Sequence, residues 1–159
     1  MAVIPLPDFK QKMVQIGYLA RTANLLGIKT PKIACIAPSE QLLPNVVSST
    51  EGALLAKMAD RGQLGDVVVD GPLSLDVALY KEVAEHKKVR GSSVAGDPDC
   101  LLFPNLESAN VFFKSVSHLC GGELAAMVMG TKVPCVLTSR GDTSKTKLYS
   151  IALACLAAR

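Results

Sequence analysis

The chain has 159 residues, 49% of them apolar and 19% charged, with no Trp and a net charge of +3. A globule of this length buries roughly 70% of the surface its unfolded chain exposes, enough for one core and too little for two domains of typical size. This mixture excludes a charged disordered chain, a collagen-like repeat and a coiled coil, and so small a charge does not argue for nucleic acid or a membrane surface as partner.

Helix and strand are predicted to alternate. Pro7 and Asp8 open a helix in which Phe9, Met13, Ile16, Ala20, Ala23 and Leu26 form one apolar stripe, with Gly27 as its stop. Residues 32–37 (KIACIA) are short, branched and unbroken, as in a buried parallel strand. A loop covers 38–45. Ser48 and Glu51 then have the spacing of a capping box, with a helix to about Arg61 before Gly62. Residues 66–70 (DVVVD) form a second predicted strand, ending at Gly71-Pro72. Ser74 or Leu75 starts a helix with Val77, Tyr80, Val83 and Ala84 facing inward and a charged far end at 85–90.

After a polar loop at 91–98, residues 100–103 (CLLF) make a third strand stopped by Pro104-Asn105. Helix returns from about 107 to 119, with Gly121-Gly122 as terminator. Residues 125–129 fit a short strand or a helix turn equally well. Residues 133–138 (VPCVLT) form a last predicted strand, Pro134 being tolerable near its start. Asp142 or Thr143 opens a final helix to Ala158, with Leu148, Ile151, Ala152 and Cys155 on one side. The expected fold class is α/β, a mostly parallel sheet with helices on both faces.

Charge is unevenly spread. Residues 1–131 carry twelve basic and thirteen acidic side chains, net −1, whereas residues 132–159 carry five and one, net +4. That excess suits a small polyanion or a solvated helix face. Cys35, Cys100, Cys120, Cys135 and Cys155 are widely spaced with no CxxC pair, and are expected as reduced, buried thiols. No apolar stretch approaches the roughly 18 residues of a membrane span, and signal-peptide features are absent from the first residues. A soluble, cytoplasmic protein is the expectation.

Open parallel sheets bind ligands at the carboxyl ends of their strands. Three predicted ends are polar here: Asp70-Gly71-Pro72, Pro104-Asn105, and the run Thr138 to Asp142. At the last, Ser139 and Arg140 bring a hydroxyl, a guanidinium fork and loop N–H groups together, as an anion site requires, although a plain capped loop has the same composition. Asp142 reads as a helix N-cap or a base, and Asp70 as an Asx turn or a ligand contact. Asn105 is a cap or a ligand contact, and an inward Asn110 needs a partner in backbone or ligand. Lys114 is a solvated charge or an anion contact. His86 reads as surface, and His118 lacks an acidic partner at short spacing. There is no GxGxxG after the first strand, no GxxxxGK[ST], no GxSxG and no metal-ligand spacing, so no metal is expected.

The words DGPL at 70–73, AGDPDCLLFPNLESANVFFKS and PCVLTSR, in this order, resemble the phosphate acetyltransferase and phosphate butyryltransferase family, as does ARTANLLGIKTPKIACIA near the start. The resemblance implies reversible transfer of an acetyl, butyryl or branched acyl group between coenzyme A and inorganic phosphate. Ser139 would contact the thiol and phosphoryl oxygens, and Arg140 would hold the acyl phosphate. Asp142 would be the candidate for the downstream acidic residue that deprotonates the thiol, although some members place that carboxylate seven residues after the serine, where this chain has Thr146. Coenzyme A, a substrate and not a bound cofactor, would lie along Asn105, Asn110 and Lys114, with Asp70 and Gly71 as further contacts.

The same resemblance implies the second half of an isocitrate/isopropylmalate dehydrogenase-like fold. Residues 1–131 would be the second, coenzyme A-side domain of such an acyltransferase, and 132–159 a strand and helix returning to a missing first domain. The implied partners are acyl-CoA, phosphate and acyl phosphate, a second copy in a homodimer, and a separate subunit carrying the N-terminal half, with no nucleic acid and no membrane. A non-catalytic domain that binds acyl-CoA or another subunit is the alternative.

Overall fold

A computed structural model describes residues 4–158. They form two compact units, one of residues 7–104 and one of residues 4–6 with 105–158.

The larger unit is an α/β layer structure. Helix α1 (Phe9–Leu25) starts where Asp8 accepts from the Gln11 N–H while the Gln11 side chain accepts from the Asp8 N–H, a reciprocal capping box. Gly27, at φ +92°, ends it in the left-handed region. Strand β1 (Lys32–Ile36) lies at the centre of a three-stranded parallel sheet, between β2 (Val68–Leu73) and β3 (Cys100–Leu102), in the order β2-β1-β3. Ile33 pairs with Val69 on one side and Cys100 on the other.

Alternation along β1 decides what each sheet face buries. Ile33 and Cys35 join Ile16 of α1 and Leu55 of α2 (Val47–Asp60) in one apolar cluster. Ala34 joins Leu73, Val77, Ala84 and Val94 in the other. The second face is covered by the short helices α3 (Leu75–Leu79) and α4 (Lys81–His86) and the following loop. Parallel strands buried on both faces carry continuous apolar runs, and KIACI is one.

Several expectations need correction. Helix α2 begins at Val47 without a side-chain cap, so Ser48 is not its N-cap, and Glu51 instead pairs with the ammonium of the nearly buried Lys12. Strand β2 does not end at Asp70. It continues through Gly71-Pro72, with Asp70 paired to Ala34 and Leu73 to Ile36 across a register irregularity. Proline is tolerated there because β2 is an edge strand. The helix after Ser74 breaks at Tyr80, which is extended and exposed and not inward, and the Ala78 carbonyl accepts from the Gly96 N–H across the break. Leu26 is exposed, off the end of the α1 stripe. Of the five thiols only Cys35 is buried, and Cys120 and Cys155 are exposed.

The smaller unit holds α5 (Leu106–His118) and α6 (Ser144–Ala157). Residues 133–138 form no sheet strand. Pro134 withholds an amide from any ladder, and the pairing found is a single antiparallel bridge between Val128 and Cys135. The predicted inner side of the last helix is open, with Leu148 62% and Ile151 53% exposed. Among the described residues no helix is long and apolar enough to cross a membrane.

Candidate functional site

Asn105 caps α5. Its side-chain oxygen accepts from the Ser108 N–H at 2.9 Å, and the Ser108 hydroxyl donates to the Asn105 carbonyl at 3.1 Å. Spacing does the rest. Leu106, Ala109, Asn110, Phe113 and Lys114 recur every three or four residues and share one helix face. That face is one wall of a hollow of about 130 Å³, whose other wall is Ala126, Leu137, Ser139 and Asp142.

Local hydrogen bonds hold the second wall. The Ser139 N–H donates to Asp142 Oδ2 at 2.8 Å and the Asp142 N–H donates to the Ser139 carbonyl at 3.1 Å, closing a turn over Arg140-Gly141. Thr143, not Asp142, is the N-cap of α6, accepting from the Thr146 N–H at 3.1 Å. The buried Ser150 hydroxyl accepts from the Ala126 N–H and donates to the Thr146 carbonyl, tying the Ala126 wall to α6.

Lys114 Nζ lies 3.3 Å from Asp142 Oδ1 and 5.4 Å from the centre of the Phe113 ring. Burial pushes the Asp142 carboxyl up, but the Ser139 N–H, the Lys114 ammonium and the charge of Lys147 outweigh it and hold the group below the ordinary carboxylate range. Both oxygens are engaged, so this carboxylate organises the loop and is a weak proton acceptor.

Four of the predicted site residues, Asn110, Lys114, Ser139 and Asp142, therefore meet at one hollow. Asn110 is exposed there and not inward, so its amide is open to solvent or ligand. Arg140 is exposed at the crest of the turn and makes no hydrogen bond or ion pair among the described residues. Asp70 and Gly71 belong to β2 of the larger unit. Asp70 Oδ1 accepts from the Gly71 N–H at 2.8 Å, and Gly71 packs so tightly on Cys35 that an added Cβ would stand 2.6 Å from the Cys35 Cβ. Among the described residues no group of three or more His, Cys, Asp or Glu could hold a metal ion.

A second hollow, of about 250 Å³, also borders Asp142. Its walls are mixed: His118, Thr143, Thr146, Tyr149 and Lys145, whose ammonium pairs with Glu123, stand beside Leu124 and three glycines. Sequence reasoning named His118, Thr143 and Thr146 one by one without bringing them together, and missed Tyr149 and the apolar wall residues Ala109, Phe113, Ala126 and Leu137 of the first hollow. The spacing of Ala109 and Phe113 with Asn110 and Lys114 on one helix was the available signal.

Residues 1–155 match the family described as phosphate acetyl/butaryl transferase. The phosphate butyryltransferase of Clostridium acetobutylicum is 43% identical over 152 residues, 96% of this chain and 50% of that protein. The phosphate acetyltransferase of Thermotoga maritima is 42% identical over 147 residues, 92% of this chain and 50% of that one. Among solved structures, a branched-chain phosphotransacylase from Enterococcus faecalis superposes with a TM-score of 0.90 at 30% identity, covering 99% of this chain and 56% of that chain. The chain thus spans about half the length of the curated relatives it matches.

Proposed function

The chain belongs to the phosphate acetyl/butaryl transferase family, and from that premise we propose that it takes part in reversible acyl transfer between coenzyme A and inorganic phosphate. What carries the reading is the convergence of Asn110, Lys114, Ser139 and Asp142 on one hollow, in a loop whose exposed arginine has no partner among the described residues.

In the proposed step the coenzyme A thiolate attacks the acyl carbon, the carbon–sulfur bond forms, and the carbon–oxygen bond to phosphate breaks. The departing oxygen carries the electron pair. Arg140 meets that growing charge with a guanidinium fork matched to two phosphoryl oxygens. Ser139 offers a hydroxyl to the thiol and phosphoryl oxygens, and Lys114 adds positive charge. A thiol with pKa near 8.5 is only partly ionised at neutral pH, so a base is useful. Asp142 is doubly engaged and Thr146 stands seven residues after Ser139, so neither supplies a strong base from this chain.

We further infer that the chain corresponds to the second half of an isocitrate/isopropylmalate dehydrogenase-like fold, with coenzyme A along 105–114. Residues 1–131 are the coenzyme A-side domain and 132–159 serve a domain supplied elsewhere. The wet apolar face at Leu148 and Ile151 supports this reading, as does the lone bridge in 128–135. Its partners are then a second copy and an N-terminal-half subunit, in the cytoplasm. The second reading, a domain that binds acyl-CoA without turnover, is favoured by the engagement of both Asp142 oxygens.

The experiment incubates the chain with coenzyme A and acetyl or butyryl phosphate, following thioester formed and phosphate released in equal amounts. Turnover that falls at least tenfold in Arg140→Ala supports transfer at this loop. Coenzyme A binding with no thioester at high protein concentration supports the second reading.

A further inference from the structure

Resting on the acyl-transfer reading, we propose that the apolar side of the hollow beside Ser139 receives the acyl chain, and that Ala109 and Leu137 set the length it accepts. The lining of the hollow is of two chemical kinds. Leu106, Ala109, Phe113, Ala126 and Leu137 present no polar side-chain atom, while Lys114 and Ser139 both bond to Asp142 and Asn110 adds an amide. The neighbouring hollow that shares Asp142 has more polar groups in its lining, among them Lys145, Thr143, Thr146 and His118.

An acyl phosphate or acyl thioester has the same division, an apolar tail and a polar or anionic head joined at the reacting carbon. Placing the tail against Phe113 and Leu137 leaves the carbonyl and the anionic head for Ser139, Asn110 and Lys114. The reverse placement would set phosphoryl oxygens against side chains that cannot hydrogen-bond. Leu137, 49% exposed, is a large apolar side chain left wet at the mouth, and a short aliphatic tail would cover it. Ala109 is the smallest side chain on the α5 wall, so a larger residue there takes space from the tail without touching the polar side.

Binding of coenzyme A, acetyl-CoA, propionyl-CoA and butyryl-CoA to the full chain, measured by calorimetry, tests this. Each added methylene buried in the hollow should tighten binding about fourfold. The readout is the slope of affinity against chain length. In Ala109→Leu the slope should vanish or reverse beyond acetyl, and in Leu137→Ala it should fall by at least half. Leu137 is a surface position, so that variant keeps the test open if Ala109→Leu fails to fold. A slope unchanged in both folded variants overturns the acyl pocket, and so does coenzyme A binding with no slope in the parent chain; both leave acyl transfer standing. No binding of coenzyme A or any thioester overturns the pocket together with the reading beneath it.

Discussion

Lys114 Nζ meets Asp142 Oδ1 at 3.3 Å, so an ammonium on α5 is fastened to the carboxylate that closes the turn from Ser139. The two side chains are unequally sheltered, 34% exposed for Lys114 and 8% for Asp142. Asp142→Ala leaves the Ser139 N–H without its acceptor and should cost about 1–3 kcal/mol. Lys114→Met removes only a half-wet ion pair, worth about 0–1 kcal/mol. Thermal unfolding of the two variants, with amide exchange at Ser139 as a local probe, checks the order. Equal costs would contradict the role given to the carboxylate.

The Lys12–Glu51 pair makes a different prediction. Lys12 is 5% exposed, and its partner lies on the neighbouring helix. Glu51→Ala strands that ammonium among Leu55, Cys35 and Leu102 and should cost about 3–5 kcal/mol, whereas the double variant Lys12→Met with Glu51→Leu should recover most of the loss. Denaturant unfolding of the single and double variants gives the coupling, and a double variant as unstable as the single one would contradict it.

Gly71→Ala tests whether DGPL is needed for packing before any ligand is considered. The new Cβ would meet the Cys35 Cβ at 2.6 Å and its carbonyl oxygen at 3.1 Å, both on the central strand. Overpacking of this kind costs about 1–3 kcal/mol. The melting temperature of the ligand-free chain should fall. An unchanged value would leave ligand contact as the reason for glycine at this position.

The larger unit was legible because its strands are short apolar runs whose ladder partners lie within residues 32–102, and alternation along Ile33, Ala34 and Cys35 fixes the two faces. Residues 133–138 carry an equally good strand pattern, yet a strand exists only where a ladder partner stands beside it, and composition does not reveal the partner. Glu51 misled for a related reason. Its spacing from Ser48 is local, whereas its ion pair with Lys12 spans 39 positions. At the site, Ser139, Asp142 and Lys114 were legible from a polar loop and a recognised motif. The apolar walls were not, since Ala126 and Leu137 are ordinary apolar residues in the sequence until the fold sets them across from α5.

Acid should loosen the face of the sheet that α3 and α4 cover. The Ser74 hydroxyl and the Lys87 ammonium hold the Asp76 carboxyl down at about 2, and Glu40, beside the same Lys87, is lowered as well. A depressed folded value stabilises above the unfolded value of about 3.9 and is lost as pH falls through the folded one. The melting temperature should therefore drop between about pH 4 and pH 2, and less steeply in Asp76→Asn. Parallel curves for the two proteins would contradict this.

The most direct test of the site is a titration of the chain with inorganic phosphate at constant ionic strength, read from its backbone amide resonances. Saturable shifts concentrated at Ser139, Arg140, Gly141 and Lys114, and lost in Arg140→Ala, are the predicted result. Shifts that are small, linear and spread over the whole chain, or that survive in Arg140→Ala, would contradict an anion site at this loop.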